Sequence, residues 1–189
     1  MQLIKIIIPS LLLGACVFGT SKNAKFFAPS VLSTQVVSAT YASPVGIDRV
    51  QLPKYIDRPQ MVTHRKDSAQ INISEFNRWV EAPTVLTTRV LTENLSVLLP
   101  AAQIRTNTSK GEQFDKIVSV EVIEMNAILG DKAELVAWYT IKNSSKQVLI
   151  QQKFTDTVQL GKTYDDLAQG YGQLLDKLSR EIAENLIKK

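Results

Sequence analysis

Hydrophobic and polar positions alternate most clearly in the second half of the chain. Over residues 116–125, Val118, Val120 and Val122 alternate with Ser119, Glu121 and Ile123. Over 134–142, Leu135, Ala137, Tyr139 and Ile141 share one side, and over 146–160 Val148, Ile150, Gln152 and Phe154 do the same. A period of two sends successive side chains to opposite faces, so each segment reads as a strand with one face turned to a core. The joins, Gly130-Asp131 and Asn143-Ser144-Ser145, are short and turn-forming. Together they predict a three-strand antiparallel meander.

From Tyr164 to Ile187 the period becomes helical. Tyr164, Leu167, Tyr171, Leu174, Leu175, Leu178, Ile182 and Leu186 form one stripe. Thr163 is the expected N-cap, with Asp165 and Asp166 in the first turn and Lys188 and Lys189 at the far end, the signs that a helix dipole favours. Gly170 and Gly172 each weaken a helix by about 1 kcal/mol relative to alanine. Their presence points either to close approach to the sheet or to a kink. A second helix is predicted from Pro83-Thr84 to about Leu99, with Val85, Leu91, Leu95 and Leu98 near one face, Thr88, Glu93 and Asn94 elsewhere, and Pro100 as its stop.

The remaining pattern is shorter in range. Val45–Leu52 reads as a strand stopped by Pro53. Met61–Thr63 and Ala69–Ile73 read as a hairpin around the polar run His64-Arg65-Lys66-Asp67-Ser68. Lys25-Phe26-Phe27 suits a short first strand and Gln103–Thr106 another. Tyr55–Gln60 is turn-like, because Pro59 biases Arg58 away from helix. Residues 74–81 read as irregular or as one helical turn. Two helices with one apolar stripe each need an apolar sheet face to cover. The expected fold is α+β, a mostly antiparallel sheet with two long helices packed on one face.

The first residues change the picture. Lys5 precedes a short apolar run, Ile6–Leu13, which is the layout of a secretory signal peptide and far below the roughly 20 residues that span a bilayer. Leu13-Gly14-Ala15-Cys16 closes it and resembles the bacterial lipobox, in which the cysteine thiol accepts a diacylglycerol. Cys16 is the single cysteine, so no internal disulfide can form, and acylation accounts for an exported unpaired thiol. The expected organisation is a signal peptide at 1–15, a lipidated tether and linker at 16–44 that holds the short first strand, and a globular domain at 45–189. Val17 stands where an Asp would resemble the inner-membrane retention mark, which favours the outer membrane. Removing residues 1–15 leaves 174 of the 189 residues and takes away only Lys5 among the charges, so the net charge falls from +4 to +3. That charge is mild and mixed in sign, and no basic stripe interleaves with aromatics, which argues against nucleic acid.

Catalytic signals are sparse. His64 is the lone histidine, and with Asp67 and Ser68 nearby it reads as a solvated hairpin tip. Cysteine and histidine are too few for a metal-ligand cluster. Gly170-Tyr171-Gly172 lacks the strand-to-helix setting of a dinucleotide fingerprint. Glu121 and Glu124, three apart on one strand, are expected on opposite faces. The expectation is a non-enzymatic binding domain with no cofactor beyond the acyl lipid on Cys16. Tyr55 and the dense loop Asp57-Arg58-Pro59-Gln60 are interface candidates, since conspicuous loop residues more often bind than pack. Equally, Arg58 would simply pair with Asp57 or a local carbonyl to shape a turn. Arg78 and Trp79 are interface candidates as well, with core packing as the alternative for the indole.

Val50-Gln51-Leu52-Pro53-Lys54-Tyr55-Ile56-Asp57-Arg58-Pro59-Gln60-Met61-Val62 resembles the PqiC family of transport-auxiliary lipoproteins, whose pattern there runs Leu-Pro, Tyr-Leu-Asp-Arg-Pro-Gln-Ile-Val. Glu75–Glu81 is similar to the family's Phe-x-Arg-Trp-Ala-Glu, and Arg89–Ser96 to its Arg-Val-Leu-x-Glu-Asn-Leu-Ser helix. The family's early Tyr-Tyr-x-Leu strand appears here as Phe26-Phe27-Ala28-Pro29. The resemblance implies a non-catalytic, periplasm-facing outer-membrane lipoprotein. It implies as partners a PqiA-like integral inner-membrane protein and a PqiB-like protein whose MCE domains stack into a lipid tunnel. It also implies a homo-oligomeric ring that receives the far end of that tunnel, moving phospholipid and supporting envelope integrity. A related group serves ABC-type MCE transporters instead, and a periplasmic lipid carrier is a further alternative.

Overall fold

A computed structural model describes residues 22–107 and 113–188; the signal segment, Cys16 and Lys189 lie outside them. In chain order the elements are β1 (Lys25–Phe27), β2 (Val45–Ile47), β3 (Gln60–His64), β4 (Ile71–Trp79), α1 (Pro83–Leu98), β5 (Ile104–Thr106), β6 (Lys116–Ala127), β7 (Lys132–Asn143), β8 (Val148–Gln159) and α2 (Tyr164–Ile187).

The alternating segments form the long meander. β6, β7 and β8 pair antiparallel, and Val118, Val120 and Val122 stand opposite Ile141, Tyr139 and Ala137, all buried. β2 adds to β6 in parallel, and β5 adds to β2, giving the order β5-β2-β6-β7-β8. The class is α+β as expected, and most paired residues are antiparallel. The sheet is not single, however: β1, β4 and β3 form a second, three-stranded sheet. α2 lies across β7 and β8, α1 packs beside it and reaches β5, and the leucines of both helices enter one core.

Several expectations shift, each for a stated reason. The strand over 45–52 ends at Ile47, and its ladder with β6 resumes at Gln51, opposite Glu121. Between them the Val50 N–H turns to the Thr88 hydroxyl of α1 (3.0 Å), and Asp48 accepts hydrogen bonds from Ser119 Oγ (2.5 Å) and Asn107 Nδ2 (2.7 Å). On α1 the burial stripe is rotated from the expected one: Val85 is exposed, whereas Thr88 and Asn94 are buried. Both polar side chains serve distant backbone. Asn94 Oδ1 accepts from the amides of Leu32 and Ser33, at 3.3 Å each. The segment between β1 and β2 is thereby pinned to α1, and Val37 N–H adds a bond to Leu98 O at 2.8 Å. In β6 a bulge at Ile123 inserts one extra residue, so Glu121 faces Trp138 and Glu124 faces Val136. The two glutamates therefore share the outer face, contrary to the unbroken alternation assumed from sequence.

α2 begins as expected. Thr163 Oγ1 accepts from the Asp166 N–H (3.1 Å) while Asp166 Oδ2 accepts from the Thr163 N–H (2.9 Å), a capping box. The Thr163 hydroxyl, which donates to Asp166 Oδ2 at 2.6 Å, and then the Thr163 N–H hold the Asp166 carboxyl below its ordinary value. The helix glycines permit close approach. A Cβ at Gly170 would strike the Leu160 side chain, and one at Gly172 would lie 2.9 Å from the Ser30 carbonyl.

Candidate functional site

The motif residues converge where the loop after β2 meets the small sheet. Ile56 and Asp57 N–H groups both bond the Pro53 carbonyl (3.1 Å), winding the loop into a tight turn. Asp57 Oδ1 then accepts the Thr84 N–H of α1 at 3.1 Å. Ala82, at the N-cap position, has no side chain to offer, so a carboxylate from 27 residues upstream caps this helix. Asp57 thus bonds the helix rather than Arg58. The Arg58 Nε is buried and has no hydrogen-bond partner among the described residues.

Pro59 and Gln60 carry the loop into β3. The Trp79 N–H donates to the Pro59 carbonyl at 2.7 Å, and Gln60 stands opposite Arg78. β4 therefore runs on through residues 74–79, a span the sequence pattern left irregular. The irregularity is real but local. Register jumps from Val62↔Ile73 to Gln60↔Arg78, so Ser74–Asn77 bulge outward. Ser74 Oγ accepts from Asn77 N (3.1 Å) and Nδ2 (2.8 Å) to hold that bulge, and Arg78 Nε donates to Glu75 O (3.2 Å).

Trp79 is 7% exposed and stacks on Tyr171 of α2, with ring centroids 6.0 Å apart and 22° between planes. The Tyr171 hydroxyl donates to the Met125 carbonyl at 3.0 Å, and full burial raises its pKa. Tyr55 donates to Asn126 Oδ1 (3.1 Å); burial first, then Glu124, raises its pKa. His64 belongs to β3 rather than to the hairpin tip and meets Tyr55 edge-on. Among the proposed interface residues, then, Asp57 and Trp79 brace the fold, Asp57 while exposed itself; Pro59 is exposed, and Arg58, Gln60 and Arg78 are half-buried. Alanine at Asp57 is expected to lower stability by about 0.5–2 kcal/mol in chemical denaturation, with asparagine restoring most of it. An unchanged midpoint would mean the carboxylate acts only at the surface.

Beneath these residues lies an apolar cavity of about 30 Å³, lined by Ile56, Val62, Trp79, Leu86, Met125 and Tyr171 among others. That is room for one or two water molecules, far short of an acyl chain. Outside, Phe26, Ile73 and Phe76 are exposed on the small sheet and Trp138 on the outer face of the large one. A tryptophan in mid-strand reads as core or half-buried, yet Trp138 is 40% exposed; Phe26, Ile73 and Phe76 carry no local signal that marks them as exposed. Among the described residues no group of three His, Cys, Asp or Glu could hold a metal ion, and no helix is long and apolar enough to cross a membrane. Cys16 falls outside the described residues.

A family model described as the ABC-type transport auxiliary lipoprotein component matches residues 28–183. Two crystal structures share the fold. One, of an uncharacterised protein, is 17% identical with a TM-score of 0.70, covering 87% of this chain and 99% of that one. The other, a Xanthomonas campestris protein of family DUF330, is 14% identical with a TM-score of 0.71, covering 87% and 95%. No curated protein matches the chain.

Proposed function

The chain belongs to the ABC-type transport auxiliary lipoprotein family, and from that premise we propose that it is the outer-membrane lipoprotein subunit of an MCE-type intermembrane phospholipid transport system. In this role it is a non-catalytic adaptor, anchored through acylated Cys16 and facing the periplasm. It docks the lipid tunnel of a PqiB-like MCE protein, itself joined to a PqiA-like inner-membrane protein, to the outer membrane. The observation that carries the reading is the family match, which runs through nearly all of the described domain.

Two structural features support the adaptor over a lipid carrier. The interior cavity, at about 30 Å³, is far too small for an acyl chain. In addition, among the described residues β8 pairs only with β7, leaving a long edge free to pair with another chain. A second reading, an auxiliary subunit of an ABC-type MCE transporter, is favoured by the family's own description.

Deleting the gene is expected to sensitise cells to detergents and organic solvents, with rescue by the intact chain. A tagged form is expected to retain an MCE-domain protein from solubilised envelopes. The inner-membrane protein that comes with it, a PqiA-like protein or an ABC-type transporter, separates the two readings. Normal tolerance together with no MCE protein in the pull-down would overturn both.

A further inference from the structure

We propose that the exposed groove of the three-stranded sheet is the face this protein lays against the bilayer, with Phe26 and Phe76 seated among the lipid headgroups. The inference rests on the lipid anchoring at Cys16 proposed above and adds an orientation to it. Phe26 of β1, Arg78 of β4 and Gln60 of β3 are cross-strand partners and therefore share one face. Beside them, Lys22, Ile73, Phe76 and Arg78 line an open groove of about 460 Å³. Phe26 is 61% exposed, Ile73 43% and Phe76 38%. The Ser74–Asn77 bulge that pushes Phe76 outward is held by its own hydrogen bonds, so this exposure is built in.

Chain length selects the occupant. Lys22, at the groove, is six residues beyond Cys16, and six extended residues span at most about 20 Å. An acylated Cys16 sits at the membrane surface, so the groove cannot stand farther from it than that. Phenylalanines on the apolar face of a peripheral element bury into the boundary between headgroups and acyl chains. Charge agrees: Lys22 and Arg78 line the groove with Glu75 as its one acid among the described residues, a net charge of +1 suited to anionic headgroups.

The native chain simplifies the test, because its only thiol, Cys16, is consumed by the lipid. Single cysteines are placed by Phe26→Cys, Phe76→Cys and, as an exposed reference near the end of α2, Glu184→Cys. Each lipidated full-length protein is nitroxide-labelled and reconstituted into phosphatidylethanolamine–phosphatidylglycerol vesicles, with thermal melts confirming the fold. The ratio of oxygen to nickel-chelate accessibility is expected to be severalfold higher at positions 26 and 76 than at 184. If the protein floats with vesicles but all three labels are equally open to the chelate, the orientation is overturned and the anchor stands. Labels at 26 and 76 shielded from both reagents would also overturn it, in favour of a protein filling the groove. Failure to float would remove the anchor and the orientation together.

Discussion

Alanine in place of Trp79 is expected to destabilise the fold by about 3–5 kcal/mol. Its indole is almost wholly buried, stacks on Tyr171 and forms part of the wall of an existing cavity. Truncation would therefore enlarge a void already bounded by Ile56, Leu86 and Tyr171 rather than let the walls close. The cost of such a substitution grows with the volume left empty. The backbone bond from Trp79 N–H to Pro59 O survives the change, so the loss is one of packing. For a domain of this size each kcal/mol moves the midpoint by roughly 2–4 °C, so a thermal melt should fall by roughly 6–20 °C. Phenylalanine, which keeps most of the ring contact, is expected to lose much less. A variant that melts like the parent but no longer holds its partner would instead make the indole an interface anchor.

That result bears on what a sequence can disclose. The meander over β6–β8 and the helix α2 were legible because their information is local. Alternation marks Leu135, Ala137, Tyr139 and Ile141 as one face, and Thr163 with Asp166 marks a helix start within four residues. The failures are mostly long-range. Thr88 and Asn94 look like solvent-facing polar residues until the amides of Val50, Leu32 and Ser33 arrive from elsewhere in the chain. β4 lacks a period through residues 74–77 because its bulge faces solvent, and its parallel pairing with β1 spans just three residue pairs. At the candidate site the sequence drew attention to residues that the fold brings together, and it left their structural roles open. Asp57-Arg58-Pro59-Gln60 is conspicuous partly because Asp57 must cap a helix whose own N-cap residue, Ala82, has no polar side chain.

Serine at position 16 is expected to act on location and leave the fold alone. A diacylglycerol thioether needs sulfur: the thiolate attacks the glyceryl carbon of the donor lipid and displaces its phosphate headgroup, and a serine hydroxyl is far too weak a nucleophile to replace it. Each buried methylene contributes about 0.8 kcal/mol, and one short acyl chain holds only marginally, so firm attachment needs two or more chains. No described helix is long and apolar enough to cross the bilayer, and a few exposed phenylalanines fall well short of two acyl chains. Cys16→Ser should therefore move the protein from the membrane pellet to the soluble fraction, end incorporation of radiolabelled palmitate and reproduce the envelope sensitivity of a deletion. Its thermal melt should match that of the parent domain, since the substitution lies outside it. Trp79→Ala should do the reverse, lowering the melt while palmitate still enters. This double dissociation separates what holds the module together from what holds it at the membrane. A Cys16→Ser form that stays in the pellet and restores tolerance would show that the envelope role does not depend on acylation.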